Sequence, residues 1–197
     1  MASVSANPIV PSGPSATIDD LYRVEGKAEL IGGRIVRYMP TGDLPSTVAF
    51  EIAVLLREYA KRTGVGHVYA DNIGYALPRP LKSGRLSFSP DASYYAGPLP
   101  ANRMRFIEGT PTFAVEVCSE GDYTAAAQRE MAAKRADYFE AGTLVVWDVD
   151  PLAQTIACYR ASSPLQPAIF KSGDTADAEP AVPGWRLLVR DVFQSTP

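Results

Sequence analysis

The chain is poor in the residues that build thiol and soft-metal chemistry: one histidine, His67, and two cysteines, Cys118 and Cys158, among 197 residues. A tetrahedral zinc site needs several nitrogen and sulfur ligands at close spacing, and no such spacing occurs here. His67 has no second histidine or cysteine nearby, so it is a poor candidate for a metal ligand or general base. Two cysteines set no disulfide framework, and both fall in apolar segments where they read as small buried hydrophobes. No apolar run approaches the roughly 20 residues of a membrane span. Positive charge is not in excess either: 19 Lys and Arg stand against 22 Asp and Glu, for a net charge of -3. With a pI of about 5.2 the chain lacks the electrostatic footprint of a nucleic-acid binder. A site awaiting a cation is itself acidic, however, so nucleic acid stays open as a partner. Residues 1–16, rich in Pro, Ser and Ala with no basic region ahead of an apolar one, do not read as a signal peptide. They predict a disordered arm on a cytoplasmic protein.

The composition, 46% hydrophobic and 21% charged, is that of an ordinary globular protein, and residues 17–197 read as one domain. The most informative stretch is 112–142. It opens with Phe113-Ala114-Val115-Glu116-Val117-Cys118, an apolar run of strand length broken by one carboxylate. An isolated ionised carboxylate is expensive to bury, so Glu116 demands a lysine, a metal or a proton. Residues 124–141 are helix formers without glycine or proline, with Asp122 the expected N-cap and Gly142 the expected terminator. At about 100° per residue, Ala127, Met131, Lys134 and Tyr138 share one stripe, with Arg129, Glu130 and Arg135 flanking it or facing away. Two readings of Lys134 stand at this point. Its stem packs while its ammonium reaches water, or it points at the end of the strand carrying Glu116.

Upstream, Thr17 caps a short helix. Residues 28–31 and 34–38 flank Gly32-Gly33 as an antiparallel hairpin. Ser46 is the expected cap of a helix running to about Thr63, with Val48, Ile52, Leu55 and Tyr59 as its apolar stripe and Glu51 at the stripe's edge. Residues 68–77 read as one strand and 78–85 as a loop with a local basic patch. Pro90-Asp91 interrupts the next extended segment, where an acid after a strand kink can project into a cleft. Residues 98–109 form a loop carrying Arg103 and Arg105. Residues 144–149 and 155–160 read as paired strands, 173–184 as a polar loop and 185–193 as a short terminal element. Strand, helix and strand across 113–149 form a right-handed crossover unit, so the fold class is α/β or α+β with a mixed sheet.

Asp91, Glu116 and Lys134 now share one explanation. Two carboxylates suit a hard divalent cation such as Mg²⁺, and a nearby lysine can orient water or stabilise charge growing on a phosphate. Taken with Ser89-Pro90-Asp91, Val115-Glu116-Val117-Cys118-Ser119, Asp122, Lys134, Tyr138, Ala141-Gly142 and Val146-Trp147-Asp148-Val149-Asp150-Pro151, the chain resembles the Uma2 family of the PD-(D/E)xK nuclease superfamily. The segments Glu29-Leu30-Ile31-Gly32-Gly33-Arg34-Ile35-Val36 and Pro183-Gly184-Trp185-Arg186-Leu187 are similar to that family's ends.

The resemblance implies a restriction-endonuclease-like core: a central mixed sheet flanked by helices, with an N-terminal hairpin. It implies Mg²⁺ or Mn²⁺ at Asp91 and Glu116, DNA as substrate, and a homodimer. In the superfamily the lysine stands two residues after the second acid. Here that position is Cys118, and the resemblance assigns the lysine to Lys134 of the following helix. It likewise assigns Glu51 to the acid of the first core helix. The chain departs from many relatives at Pro45-Ser46-Thr47, where they carry a histidine. Affinity for a duplex would rest on Arg79, Arg85, Arg103 and Arg105 or on dimerisation. The competing expectation is a binding or regulatory module in which Glu116 and Lys134 form only a structural ion pair.

Overall fold

A computed structural model describes residues 15–193. The arm expected over 1–16 therefore falls almost wholly outside the described residues. At its end, the Ala16 N–H donates to the Gly33 carbonyl at 2.9 Å.

Helix α1 (Ile18–Leu21) starts from a reciprocal capping box between Thr17 and Asp20. Strands β1 (Ala28–Ile31) and β2 (Arg34–Arg37) form the expected hairpin. Gly32 and Gly33 have φ of 57° and 70°, the left-handed pair that a two-residue loop needs. Helix α2 (Asp43–Thr63) begins a turn before Ser46, with Gly42 as its cap. Pro45 sits in the first turn, where its missing N–H has no helical partner to lose. Val48, Ile52, Leu56 and Tyr59 are buried, so Leu56 rather than Leu55 lies at the centre of the stripe.

Strand β3 (His67–Ala70) ends at a turn in which Asn72 has φ of 69°, so the single strand expected over 68–77 is two. Strands β4 (Tyr75–Ala76) and β5 (Ser87–Phe88) pair in a small second sheet, β6 (Ala92–Tyr95) joins the main sheet, and β7 (Ile107–Glu108) completes the second. Strand β8 (Phe113–Val117) leads through a 3₁₀ turn into α3 (Ala125–Ala141). Asp122 pairs with Ser119 to cap that turn, and Thr124 caps α3 in its place, its hydroxyl accepting the Ala127 N–H at 3.2 Å. Gly142, φ 106°, ends α3 as expected.

Strand β9 (Val145–Asp150) lies parallel to β8. Strands β10 (Thr155–Arg160) and β11 (Ser163–Lys171) follow antiparallel. Strands β12 (Thr175–Asp177) and β13 (Arg186–Leu188) pair across a region expected to be loop, before α4 (Val189–Phe193).

The main sheet has the order β11-β10-β9-β8-β6-β3. Only the β8–β9 pair in it is parallel, so the sheet is mixed, with helices on both faces. Side chains alternate across it. Phe113, Val115 and Val117 join Ile52, Leu56, Trp147 and Trp185 in one core under α2. Ala114 and Val146 join Tyr75, Phe88 and Tyr138 in a second core under α3. Glu116 projects into that second layer.

Candidate active site

The pairing of β6 with β8 sets Ala92 opposite Val115, so Asp91, one residue before β6, reaches the end of β8. Its Oδ2 accepts the Val117 N–H at 2.8 Å, which fixes the carboxylate beside Glu116. Its Oδ1 lies 2.5 Å from Lys27 Nζ, and the same ammonium stands 2.7 Å from Asp71 Oδ1. Glu116 Oε1 accepts from Tyr138 OH at 2.7 Å and from Lys134 Nζ at 2.8 Å. The α3 stripe thus aims Lys134 and Tyr138 at Glu116.

Lys134 also contacts Glu29 Oε1 at 3.0 Å. Glu29 is fully buried and saturated with donors. The Ser89 N–H lies at 2.9 Å, Tyr38 OH at 2.8 Å, and the Arg85 guanidinium forms a close ion pair with it. Arg85 Nε in turn donates to Asp137 Oδ2 at 2.8 Å. Next to Glu116 in register on β9, Asp148 pairs with Arg135, whose guanidinium stacks 3.7 Å from the centroid of the Tyr159 ring.

Protonation follows from burial and charge. Burial pushes the Glu116 carboxyl up to about 7, with Lys134 opposing the rise and Asp91 adding to it. Burial raises Asp148 to about 6 against the pull of Arg135. Glu29 is held down near 2, because Lys134, Arg85 and its hydrogen bonds outweigh its burial. Burial works against the charge on Lys134, but Glu116 and Glu29 overcome it and raise its pKa, so it is a cation and a donor.

Asp91, Glu116 and Lys134 line one cavity of roughly 860 Å³, walled by the hairpin through Tyr38 and by α3. Glu51 is not among its lining residues. It sits on α2, which packs on the other face of the sheet from Glu116. Cys118 is buried, and its burial drives the thiol up to about 12. Arg85 is likewise buried, not part of a surface basic patch, because Glu29 and Asp137 draw it inward. Arg105 lies over the Tyr22 ring and pairs with Asp19. Arg103 and His67 line a separate shallow cleft with Arg57 and Lys61. His67 pairs with Tyr95 at the far end of β6 from Asp91.

Sequence reasoning missed Glu29, Lys27, Asp71 and Asp137 as partners in the cluster. Glu29 carried a usable signal, a carboxylate in a short apolar strand, which is the same anomaly that marked Glu116.

The fold is thus a mixed α/β sheet that carries an acid–lysine cluster at the ends of β6 and β8, closed over by α3. A family model described as "Uma2: Putative restriction endonuclease" matches residues 17–190, and the chain belongs to that family. Among solved structures, it is similar to one described as a "putative nuclease belonging to DUF820" from Anabaena variabilis. The two are 19% identical with a TM-score of 0.69, over 90% of this chain and 97% of that one. No curated protein matches. Among the described residues, no helix is long and apolar enough to cross a membrane.

The family implies a divalent cation, and the cluster can be tested for it. Asp71 and Asp91 share Lys27, and Glu116, Glu29 and Asp137 share Lys134 and Arg85, so in these two neighbouring networks five acids face three cations. Among the described residues no three His, Cys, Asp or Glu side chains are arranged to hold a metal. Two carboxylates completed by water and phosphate are nonetheless the ligand set magnesium commonly takes, so the residues fit.

Proposed function

We propose that this chain is a divalent-metal-dependent endonuclease that hydrolyses phosphodiester bonds of DNA, with Asp91 and Glu116 holding Mg²⁺ or Mn²⁺ and Lys134 assisting. The observation that carries it is the meeting of Asp91, Glu116 and Lys134 in one cavity, in a chain of the Uma2 family. The ion would supply Lewis-acid stabilisation of the phosphate and a more acidic bound water. The Val117 N–H holds the Asp91 carboxylate in place. Lys134 is anchored by Glu116 and Glu29, and its remaining N–H donor orients water or meets a phosphate oxygen as charge develops there. Tyr138 fixes the rotamer of Glu116. Glu51 has no part in this proposal. A homodimer would bring basic residues of two chains to one duplex.

A second reading has its own support. Lys27 and Lys134 already neutralise Asp91 and Glu116, as they would in a catalytically silent binding module. Calorimetric titration of Mg²⁺ and Mn²⁺, followed by plasmid nicking, separates the two. Binding and nicking in the wild type, both lost in Asp91→Ala and Glu116→Ala, support the nuclease. No binding at millimolar metal supports the silent module.

A further inference from the structure

Asp91 has both carboxylate oxygens engaged: Oδ2 by the Val117 N–H and Oδ1 by Lys27. An ion bound at Asp91 must therefore contend with an ammonium already in contact. Lys27 is well placed to yield. Its side chain is 16% exposed and lines the cavity, and its Nζ is shared with Asp71, which stands at the rim just after β3 with a side chain 46% exposed. The two contacts, 2.5 and 2.7 Å, differ little, so the ammonium can give up one anchor and keep the other. Lys27 also faces Glu116, which attracts it, and Lys134, which repels it.

We propose that Lys27 is a built-in counter-cation: it occupies the cation position at Asp91 in the metal-free protein and withdraws onto Asp71 when a divalent ion binds. This rests on the metal-dependent reading of the site and adds its regulation. The internal lysine neutralises the acids in the absence of metal and raises the metal concentration needed to fill the site. Asp71 then serves as the resting place that makes the exchange reversible.

The test is Mn²⁺ binding, read by the paramagnetic resonance signal of free Mn²⁺ and by calorimetry, in the wild type, Lys27→Gln and Asp71→Asn. Removing the competing charge is expected to tighten Mn²⁺ binding about tenfold or more in Lys27→Gln. Asp71→Asn, at an exposed position, is expected to weaken it, because Lys27 then has only Asp91. A Lys27→Gln protein that binds Mn²⁺ no tighter than the wild type overturns the counter-cation while leaving the nuclease reading in place. Absence of binding in all three chains overturns both.

Discussion

Glu116 and Asp148 are register partners on adjacent parallel strands, and consecutive residues of α3, Lys134 and Arg135, give each its own cation. Two acids side by side in a buried layer are therefore balanced from one helix, and the balance is incomplete.

That incompleteness sets the pH dependence of stability. Glu116 rises from 4.5 to about 7 on folding and Asp148 from 3.8 to about 6, so both bind protons more tightly in the folded state. Their contribution is fully present below the ordinary carboxylate values and is lost as pH rises through about 6 to 7. Glu29 has the opposite sign: its contribution is present above 4.5 and is lost as pH falls towards about 2. In chelator-containing buffer the melting temperature should be higher near pH 5 than near pH 8, each such group contributing up to about 1.4 kcal/mol per pH unit. Glu116→Gln should flatten the dependence between pH 5 and 7. Melting curves across this range check it, and equal slopes in the two proteins would show that Glu116 does not titrate there.

Glu29→Gln should be more damaging than Asp91→Asn. Glu29 is fully buried and receives Lys134, Arg85, Tyr38 and the Ser89 N–H, whereas the Asp91 side chain is 21% exposed. Removing one partner from a buried ion network costs about 3–5 kcal/mol, and two cations here lose a shared anion. Urea unfolding of both variants measures the difference. A Glu29→Gln cost below that of Asp91→Asn would mean that Lys134 and Arg85 are satisfied by Glu116 and Asp137 alone.

These two acids also show what the sequence made legible. Glu116 interrupts a five-residue apolar strand flanked by a helix with one lysine in its apolar stripe, so both the burial and the partner could be read from spacing. Glu29 lies in a four-residue strand, too short for alternation to say which face is covered. Its partner Arg85 sits in a segment of Pro, Lys, Ser and Gly that has the composition of a solvated loop. The Lys27–Asp91 contact spans 64 residues and depends on where the hairpin docks, which no local pattern encodes. Strand β11 was hidden by Pro164 and Pro167, which an edge strand tolerates because one row of its N–H groups has no partner to lose. The sheet's centre, by contrast, followed from apolar runs and the crossover unit alone.

The placement of α2 bears on Glu51. Its helix covers the sheet face that carries Val115 and Val117, while Glu116 opens to the other. Glu51→Ala should therefore leave plasmid nicking within about twofold of the wild type, as expected for a residue outside the contacts of the site. A loss comparable to that of Glu116→Ala would place Glu51 in the chemistry after all.

Lys134→Ala separates catalysis from architecture. Removing the ammonium leaves Glu116 and Glu29 facing each other in a buried layer, which should lower stability by about 3–5 kcal/mol. It should also raise both carboxyl pKa values, so the variant's stability should recover as pH falls, more steeply than that of the wild type. A divalent ion binds ionised acids, so Mn²⁺ binding should persist and itself stabilise the variant. On the proposed mechanism nicking, in contrast, should fall by about 100-fold or more, because Lys134 is the donor assigned there to the developing charge. Measuring melting temperature, Mn²⁺ binding and nicking on one preparation distinguishes the outcomes. Retained nicking in a folded, metal-bound Lys134→Ala protein would remove Lys134 from the mechanism and leave it as the cation that allows two acids to share the interior.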